Sequence, residues 1–490
     1  MTTQHEDFTG FVDGRPLPPT GDATDLVDPA TGRTWARAFG SADHVDAAVA
    51  AASAAFLRND WRQLTPFDRA ALLRRLAELI RANAEPLAEF ESLANGKTHA
   101  VTRREMTATA RWYDFYASAV EIRDDISRSP SPFTEARIVR EPLGVVVAIT
   151  PFNGALSLGS WKIAPALAMG NSVILKPPVE SPASSLMLAR LALEAGFPPG
   201  IVNVVLGDGS VGERVATHPD VAMVSFTGSS AVARRLGEKA AASMKRFVCE
   251  AGGKSAHIVF ADADLGSAVR AATQGAFSAT GQVCVAGSRL LVQEEIFETF
   301  LAQFIAAAKN IRIGPPSLAT SHLGPLASKR QKTRVTAFLE EAIAEGATVA
   351  FKGTLPDMPA EYADGFWFAP TILTGVAAPM RICREEVFGP VVTVQPFRTE
   401  AEAVTLANGT EYGLAAGFWT RDAARIHRLA CALQAGSVWV NTYRAMNVML
   451  PFGGYKQSGM GRENGIEALD EFAQIKTIVV DHAAHPDHFA

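Results

Sequence analysis

Ala279-Thr-Gly-Gln-Val-Cys284-Val-Ala-Gly-Ser288 is a small-residue stretch with one thiol at its centre. A helical run, Leu265 to Ala279, precedes it, and a strand-like run, Arg289-Leu-Leu-Val292, follows. Gly281 and Gly287 leave the backbone open on both sides of Cys284. A thiol at a helix-to-strand passage suits a nucleophile that must meet two other molecules at once. A buried packing cysteine is the alternative for any single cysteine.

Four further stretches bear on that choice. Phe247-Val-Cys-Glu250-Ala-Gly-Gly-Lys254 ends an apolar strand in a carboxylate and two glycines. Ala148-Ile-Thr-Pro-Phe-Asn153-Gly154 ends one in a turn and an amide. Glu385-Glu386-Val-Phe388-Gly-Pro390 leads an acidic pair into a turn, and Pro451-Phe-Gly-Gly-Tyr-Lys-Gln-Ser-Gly-Met-Gly-Arg-Glu463 lies near the C-terminus. In this order and at these spacings the five stretches resemble the aldehyde dehydrogenase superfamily, from about Pro29 to Val480.

Outward from these motifs, the rhythm of the chain is α/β. Val145–Ile149, Ser172–Leu175, Val202–Leu206 and Val221–Phe226 are short apolar runs separated by helical segments. That alternation predicts βαβ crossovers and a parallel sheet covered on both faces. A second βα series begins after Gly253, with Ala256–Phe260, Leu290–Val292, Val391–Val394 and Gly436–Val440 as strands. Before the sheets, Val45–Phe56, Asp68–Leu93 and Val101–Ile122 read as helices, the second ending at Asn95-Gly96. Trp112, Tyr113, Phe115 and Tyr116 on the third are core residues or the lining of a substrate entrance.

The resemblance implies a Rossmann-like cofactor domain (residues 1–126 and 141–251) and an α/β catalytic domain (252–440). Residues 441–469 would return to the cofactor domain, and 127–140 with 470–490 would form a small β extension joining subunits. Burying exposed edge strands in a homodimer or homotetramer is physically sensible.

Composition bounds the function. The 490 residues are 48% hydrophobic and 20% charged, with a net charge of −5 and no basic tract. Nucleic acid and anionic membrane are therefore not expected partners. No apolar run approaches the roughly 20 residues that span a bilayer, and Met1-Thr-Thr-Gln-His-Glu-Asp is no secretory signal. Four cysteines make no disulfide framework, so a reduced cytoplasmic enzyme is expected. Cys249, Cys383 and Cys431 are expected to be packing residues. The tail His482-Ala-Ala-His485-Pro-Asp-His488 mimics metal-ligand spacing, but no metal site is expected.

The resemblance also implies a chemistry. Cys284 attacks an aldehyde carbon, Asn153 and the Cys284 N–H hold the resulting oxyanion, and hydride passes to NAD or NADP. Glu250 activates the water that hydrolyses the thioester. Its apolar and glycine neighbours should raise its pKa. Taken alone, Asn153 reads equally as a turn residue and Glu250 as the surface partner of Lys254. Lys162 and Trp161 match positions beside the site, and Glu463 matches a proposed proton relay.

For the cofactor, Gly207-Asp-Gly209-Ser-Val-Gly212 fits the dinucleotide fingerprint, without a clear later acid. The resemblance instead puts the phosphates at Phe226-Thr227-Gly228-Ser229, before a helix that carries Ala233 where a second glycine is common. Glu386 and Phe388 would hold the nicotinamide ribose and ring and Lys176 the adenosine ribose, with Thr150, Pro151 and Phe152 as further cofactor contacts. Val179 stands where NAD-preferring members usually carry glutamate, with Glu180 one place on, so NADP is expected to be accepted comparably.

For the substrate, Gly154, Trp161, Val283, Val285, Arg444 and Met446 are the candidate contacts. Gly154 and the apolar residues before Pro451 (Met446, Val448, Met449 and Leu450) favour a medium or bulky, largely apolar aldehyde. Arg444 as a carboxylate anchor would instead suit a semialdehyde. The rivals are a CoA-acylating member, which typically lacks the base glutamate, and a catalytically silent binding protein. A phosphate-activated semialdehyde reductase would need an anion pocket near Cys284, and no Arg/Lys cluster is evident there in the sequence.

Overall fold

In the computed structural model, residues 6–483 are described. Eight strands form the first large sheet. Its centre is five parallel strands in the spatial order Val202–Val204, Ser172–Lys176, Val145–Ile149, Val221–Thr227, Arg246–Glu250. Counted along the chain, that order is 3-2-1-4-5, the doubly wound arrangement with its switch point between the first and fourth strands. Every residue of Val145–Ile149 is buried, as a parallel strand covered on both faces requires. Phe11–Val12 and Arg15–Pro16 close one edge, and Gly459–Met460 pairs antiparallel with Arg246–Glu250 at the other.

The second sheet has seven strands, in the order Thr348–Lys352, Thr371–Thr374, Val391–Phe397, Arg289–Gln293, Ala256–Val259, Ala415–Trp419, Ser437–Val440. All but the first, an antiparallel edge, run parallel. A third, antiparallel sheet joins Ala473–Asp481, Thr134–Pro142 and Ile126–Ser131. Its outer strand exposes Ile475 (67%) and Val479 (60%).

The helices mostly follow the sequence pattern, with Asp43–Leu57 and His99–Glu121 close to the expected spans. The single helix expected over Asp68–Leu93 is two, Pro66–Ala82 and Ala84–Asn95, broken at Asn83. Pro86 explains the break, because a continuous helix would need its missing N–H and would clash with the preceding turn. Gly96 ends the second helix at φ +75°. On His99–Glu121, Tyr113 and Tyr116 are core residues, while Trp112 stacks on Trp161 at 5.7 Å.

Cys249 and Cys383 are buried, but Cys431 is exposed, correcting the expectation that it is a packing residue. Helix Ala423–Ala432 fully buries only Leu429, with Ile426 partly buried beside it. His485 and His488 lie outside the described residues. No helix among the described residues is long and apolar enough to cross a membrane.

Candidate active site

The loop carrying Cys284 begins where helix Leu265–Phe277, capped by the Asp264 carboxylate, stops. Ala279 and Thr280 both adopt left-handed backbone (φ +52° and +55°), followed by Gly281 at φ +69°. Two adjacent non-glycine residues in that region are costly and must be held by their surroundings. The Thr280 hydroxyl donates to the Gly324 carbonyl at 2.9 Å, and Gln282 Oε1 accepts the Ala327 N–H at 3.0 Å. A Cβ on Gly281 would lie 2.2 Å from the Gly389 carbonyl, so only glycine lets this loop meet the Glu386–Phe388 turn.

Cys284 is half-buried and lines a cavity of about 510 Å³ with Pro151, Phe152, Asn153, Thr227, Gly228, Ser229, Glu386 and Phe388. The turns after the first and fourth strands thus reach the cavity from the switch point, where open α/β sheets bind ligands. The Ser229 side chain accepts the Val232 N–H and caps the 13-residue helix Ser230–Ala242, whose N-terminus suits phosphate. These groups fit a dinucleotide approaching Cys284. Burial pushes the thiol up to about 12, the Glu386 and Glu250 charges add to this, and Arg444 opposes it.

Asn153 donates from Nδ2 to the Gln282 carbonyl at 3.0 Å, which ties the amide to the Cys284 loop. Glu386 accepts the Gly253 N–H at 3.1 Å, and burial pushes its carboxyl up to about 7. The Phe388 ring meets Phe152 edge-on at 5.6 Å. Gly252 and Gly253 are squeezed between the two turns: Cβ atoms there would lie 2.4 Å from Glu386 Oε2 and 2.5 Å from the Cys284 carbonyl.

Glu250 sits behind this wall. It is 3% exposed and neither carboxylate oxygen has a hydrogen-bond partner. Burial raises its pKa well above the usual carboxylate value, and the Glu463 charge adds to this, partly offset by Lys162. The alternative of a solvated surface pair with Lys254 does not hold, since both residues are buried and unpaired. Lys162 lies off the cavity, donating to Thr227 Oγ1 at 2.6 Å and ion-pairing with the buried Glu463.

The remaining cofactor candidates spread along the same sheet edge. Thr150 and Phe226 are buried, with the Phe226 ring directly under Gly228. Lys176 is buried, and burial lowers its pKa to about 8 against the pull of Glu180 and Asp208. Val179 is half-buried and Glu180 exposed. Gly209 starts helix Gly209–Thr217, outside the cavity lining and away from the switch point.

Of the substrate candidates, Trp161, Val283 and Val285 pack in one cluster with Cys284, Trp112, Phe452 and Tyr443. Val285 is itself core, at 1% exposure. Gly154 is buried at the start of helix Ala155–Ala168, where a Cβ would meet Ser157 and Leu158. Met446 (40%), Met449 (61%) and Leu450 (58%) are exposed and do not line the cavity. Arg444 is half-buried at φ +59°.

Three residues had no motif to announce them. Arg330, Gln331 and Arg334 reach the cavity from helix Lys329–Ala344. Gln331 donates to the Phe388 carbonyl at 2.6 Å and Arg334 to that of Glu386 at 2.7 Å, so they hold the turn bearing both residues. Their only signal in the sequence is a basic helix start.

A sequence profile of the Aldehyde dehydrogenase family matches residues 18–478. Betaine aldehyde dehydrogenase of Bacillus subtilis (strain 168) is 42% identical over 434 residues, 88% of each chain. The 2-aminomuconic semialdehyde dehydrogenase of Danio rerio is 38% identical over 470 residues, 95% of this chain and 96% of that one. The crystal structure of betaine aldehyde dehydrogenase from Staphylococcus aureus in complex with NAD+ superposes with a TM-score of 0.96 at 36% identity, covering 100% of this chain and 98% of that chain. The Cys284 loop facing the switch point of a doubly wound sheet, within a match of this extent, places the chain in the aldehyde dehydrogenase family as an NAD(P)-dependent oxidoreductase acting on an aldehyde.

Proposed function

We propose that this enzyme oxidises a small polar aldehyde to its carboxylic acid, with Cys284 as nucleophile. The observation that carries the reading is the shared cavity of Cys284, Asn153, Glu386 and the two switch-point turns. Cys284 adds to the aldehyde carbon, and the Asn153 amide with the Cys284 N–H stabilises the oxyanion. Losing one such donor typically costs about 10²–10³ in rate. Bound NAD(P) supplies the hydride acceptor. Glu250 then takes a proton from water as the Cys284 thioester is hydrolysed, and burial, by raising its pKa, makes its carboxylate a stronger base.

A polar substrate replaces the bulky apolar one expected earlier. That expectation leaned on Gly154, Met446, Val448, Met449 and Leu450, of which Met446, Met449 and Leu450 face solvent. The relatives named above act, by their names, on betaine aldehyde and on a semialdehyde, both polar. The test is reduced-cofactor absorbance with betaine aldehyde, ω-oxo acids and alkanals, each with and without CoA. Free acid formed without CoA supports the reading. A CoA thioester as the only product, or no turnover with cofactor bound, refutes it.

The exposed apolar strand Ala473–Asp481 supports assembly with further copies through the third sheet. Light scattering that returns a monomer mass would refute this.

A further inference from the structure

Tyr443 is wedged into the catalytic side of the second sheet. Cβ atoms on Gly275, Gly287 and Gly417 would lie 2.8, 3.0 and 2.5 Å from its ring, so three glycines make its slot. The ring lies parallel to that of His257 at 4.5 Å, and Trp439 meets it edge-on at 5.1 Å. His257 is in turn fixed by the Trp419 indole N–H at 2.8 Å. The Tyr443 hydroxyl donates to the carbonyl of Val285, the residue after the nucleophile, at 3.2 Å. Tyr443 therefore registers its own loop against the Cys284 loop.

The next residue is Arg444, in left-handed backbone at φ +59°. Arginine gains nothing intrinsic from that conformation, so the anchored neighbour must hold it. Its guanidinium is half-buried, yet it has no hydrogen bond or ion pair among the described residues. The carboxylate of Glu105, the acid nearest in charge, is already held by Lys97 at 2.7 and 2.9 Å. Arg444 is outside the lining of the Cys284 cavity, but its loop is tied to the Cys284 loop by the Tyr443–Val285 bond, and a planar fork of donors left unpaired there is suited to a carboxylate.

We propose that Arg444, aimed by the wedged Tyr443, is the specificity-determining residue of this enzyme and selects aldehydes that carry a carboxylate at their far end. The inference rests on the polar-aldehyde reading and names the charge of that substrate. The guanidinium pairs with the carboxylate of an ω-oxo acid while the aldehyde carbon meets Cys284. The same charge repels a quaternary ammonium aldehyde, so this chain departs in preference from the betaine aldehyde dehydrogenases it resembles. The Arg444 charge also favours the Cys284 thiolate. For that reason the diagnostic quantity is a ratio between substrates, in which an effect on the nucleophile cancels.

The test compares kcat/KM for 5-oxopentanoate, pentanal and betaine aldehyde in the wild type, Arg444→Gln and Arg444→Lys. The wild type should prefer 5-oxopentanoate to both others. In Arg444→Gln the ratio of 5-oxopentanoate to pentanal should fall at least about tenfold, mostly through KM, and the ratio to betaine aldehyde should fall further. Arg444→Lys keeps the charge and should retain part of the preference. An equal loss on all three substrates, or a wild type that prefers betaine aldehyde, overturns the assignment while the aldehyde dehydrogenase reading stands. A wild type that turns over none of the three refutes the polar-aldehyde reading and the assignment with it.

Discussion

Lys162 and Glu463 lie 301 residues apart in the chain and form an ion pair with side chains 0% and 1% exposed. Ser225 adds a hydroxyl to Glu463 at 3.4 Å, and Thr227 accepts from Lys162 at 2.6 Å. The pair welds the C-terminal Arg462-Glu463-Asn464 segment to the first sheet, beside Glu250.

Removing one partner strands a buried charge. Lys162→Met should lower unfolding stability by about 3–5 kcal/mol. Lys162→Met combined with Glu463→Leu should recover much of that loss in urea titrations. Equal stability of the single and double variants would show that the pair carries no such coupling.

Glu250→Gln should give one burst of reduced cofactor and no steady state, because acylation of Cys284 proceeds and hydrolysis does not. The substitution should also alter stability with pH. A carboxyl whose folded pKa is raised favours folding fully below its unfolded pKa, near 4.5, and loses that contribution as pH rises through the folded value. Thermal midpoints of Glu250→Gln relative to the wild type should therefore climb as pH rises above 4.5. Full steady-state turnover in this variant would remove Glu250 from the base role.

Glu386 raises the Cys284 pKa through its charge. Glu386→Gln should speed alkylation of Cys284 by iodoacetamide several-fold at mildly alkaline pH, read by peptide mass mapping so that exposed Cys431 is counted separately. Unchanged or slower alkylation would contradict the electrostatic coupling.

Cofactor preference should follow Val179. With no carboxylate there, NADP should bind within about tenfold of NAD, and Val179→Glu should weaken NADP by a further tenfold or more. A wild-type Kd for NADP more than about a hundredfold weaker than for NAD would show that Glu180 or the backbone supplies the discrimination.

Much of this architecture was legible from local pattern. Apolar runs such as Val145–Ile149 declare buried parallel strands, because a strand covered on both faces has no polar side to show. The role proposed for Cys284 rested on the resemblance of five ordered motifs, since a lone cysteine between glycines also reads as a packing residue. The helix break at Asn83 was not read from the pattern, because Leu72, Leu76 and Leu79 keep helical spacing up to it, although Pro86 marks it. The exposure of Met446, Met449 and Leu450 was not, because apolar character alone does not say which way a loop faces.

The sequence by itself determined the kind of chemistry, because thiol, amide and carboxylates are properties of residues and their motifs are local. Tertiary structure decided which of them meet. Arg334 holds Glu386, Lys162 finds Glu463, and Tyr443 locks onto Val285 through contacts between segments far apart in the chain. Those contacts depend on how two sheets and their loops pack, and packing is a property of the whole core that no short stretch encodes.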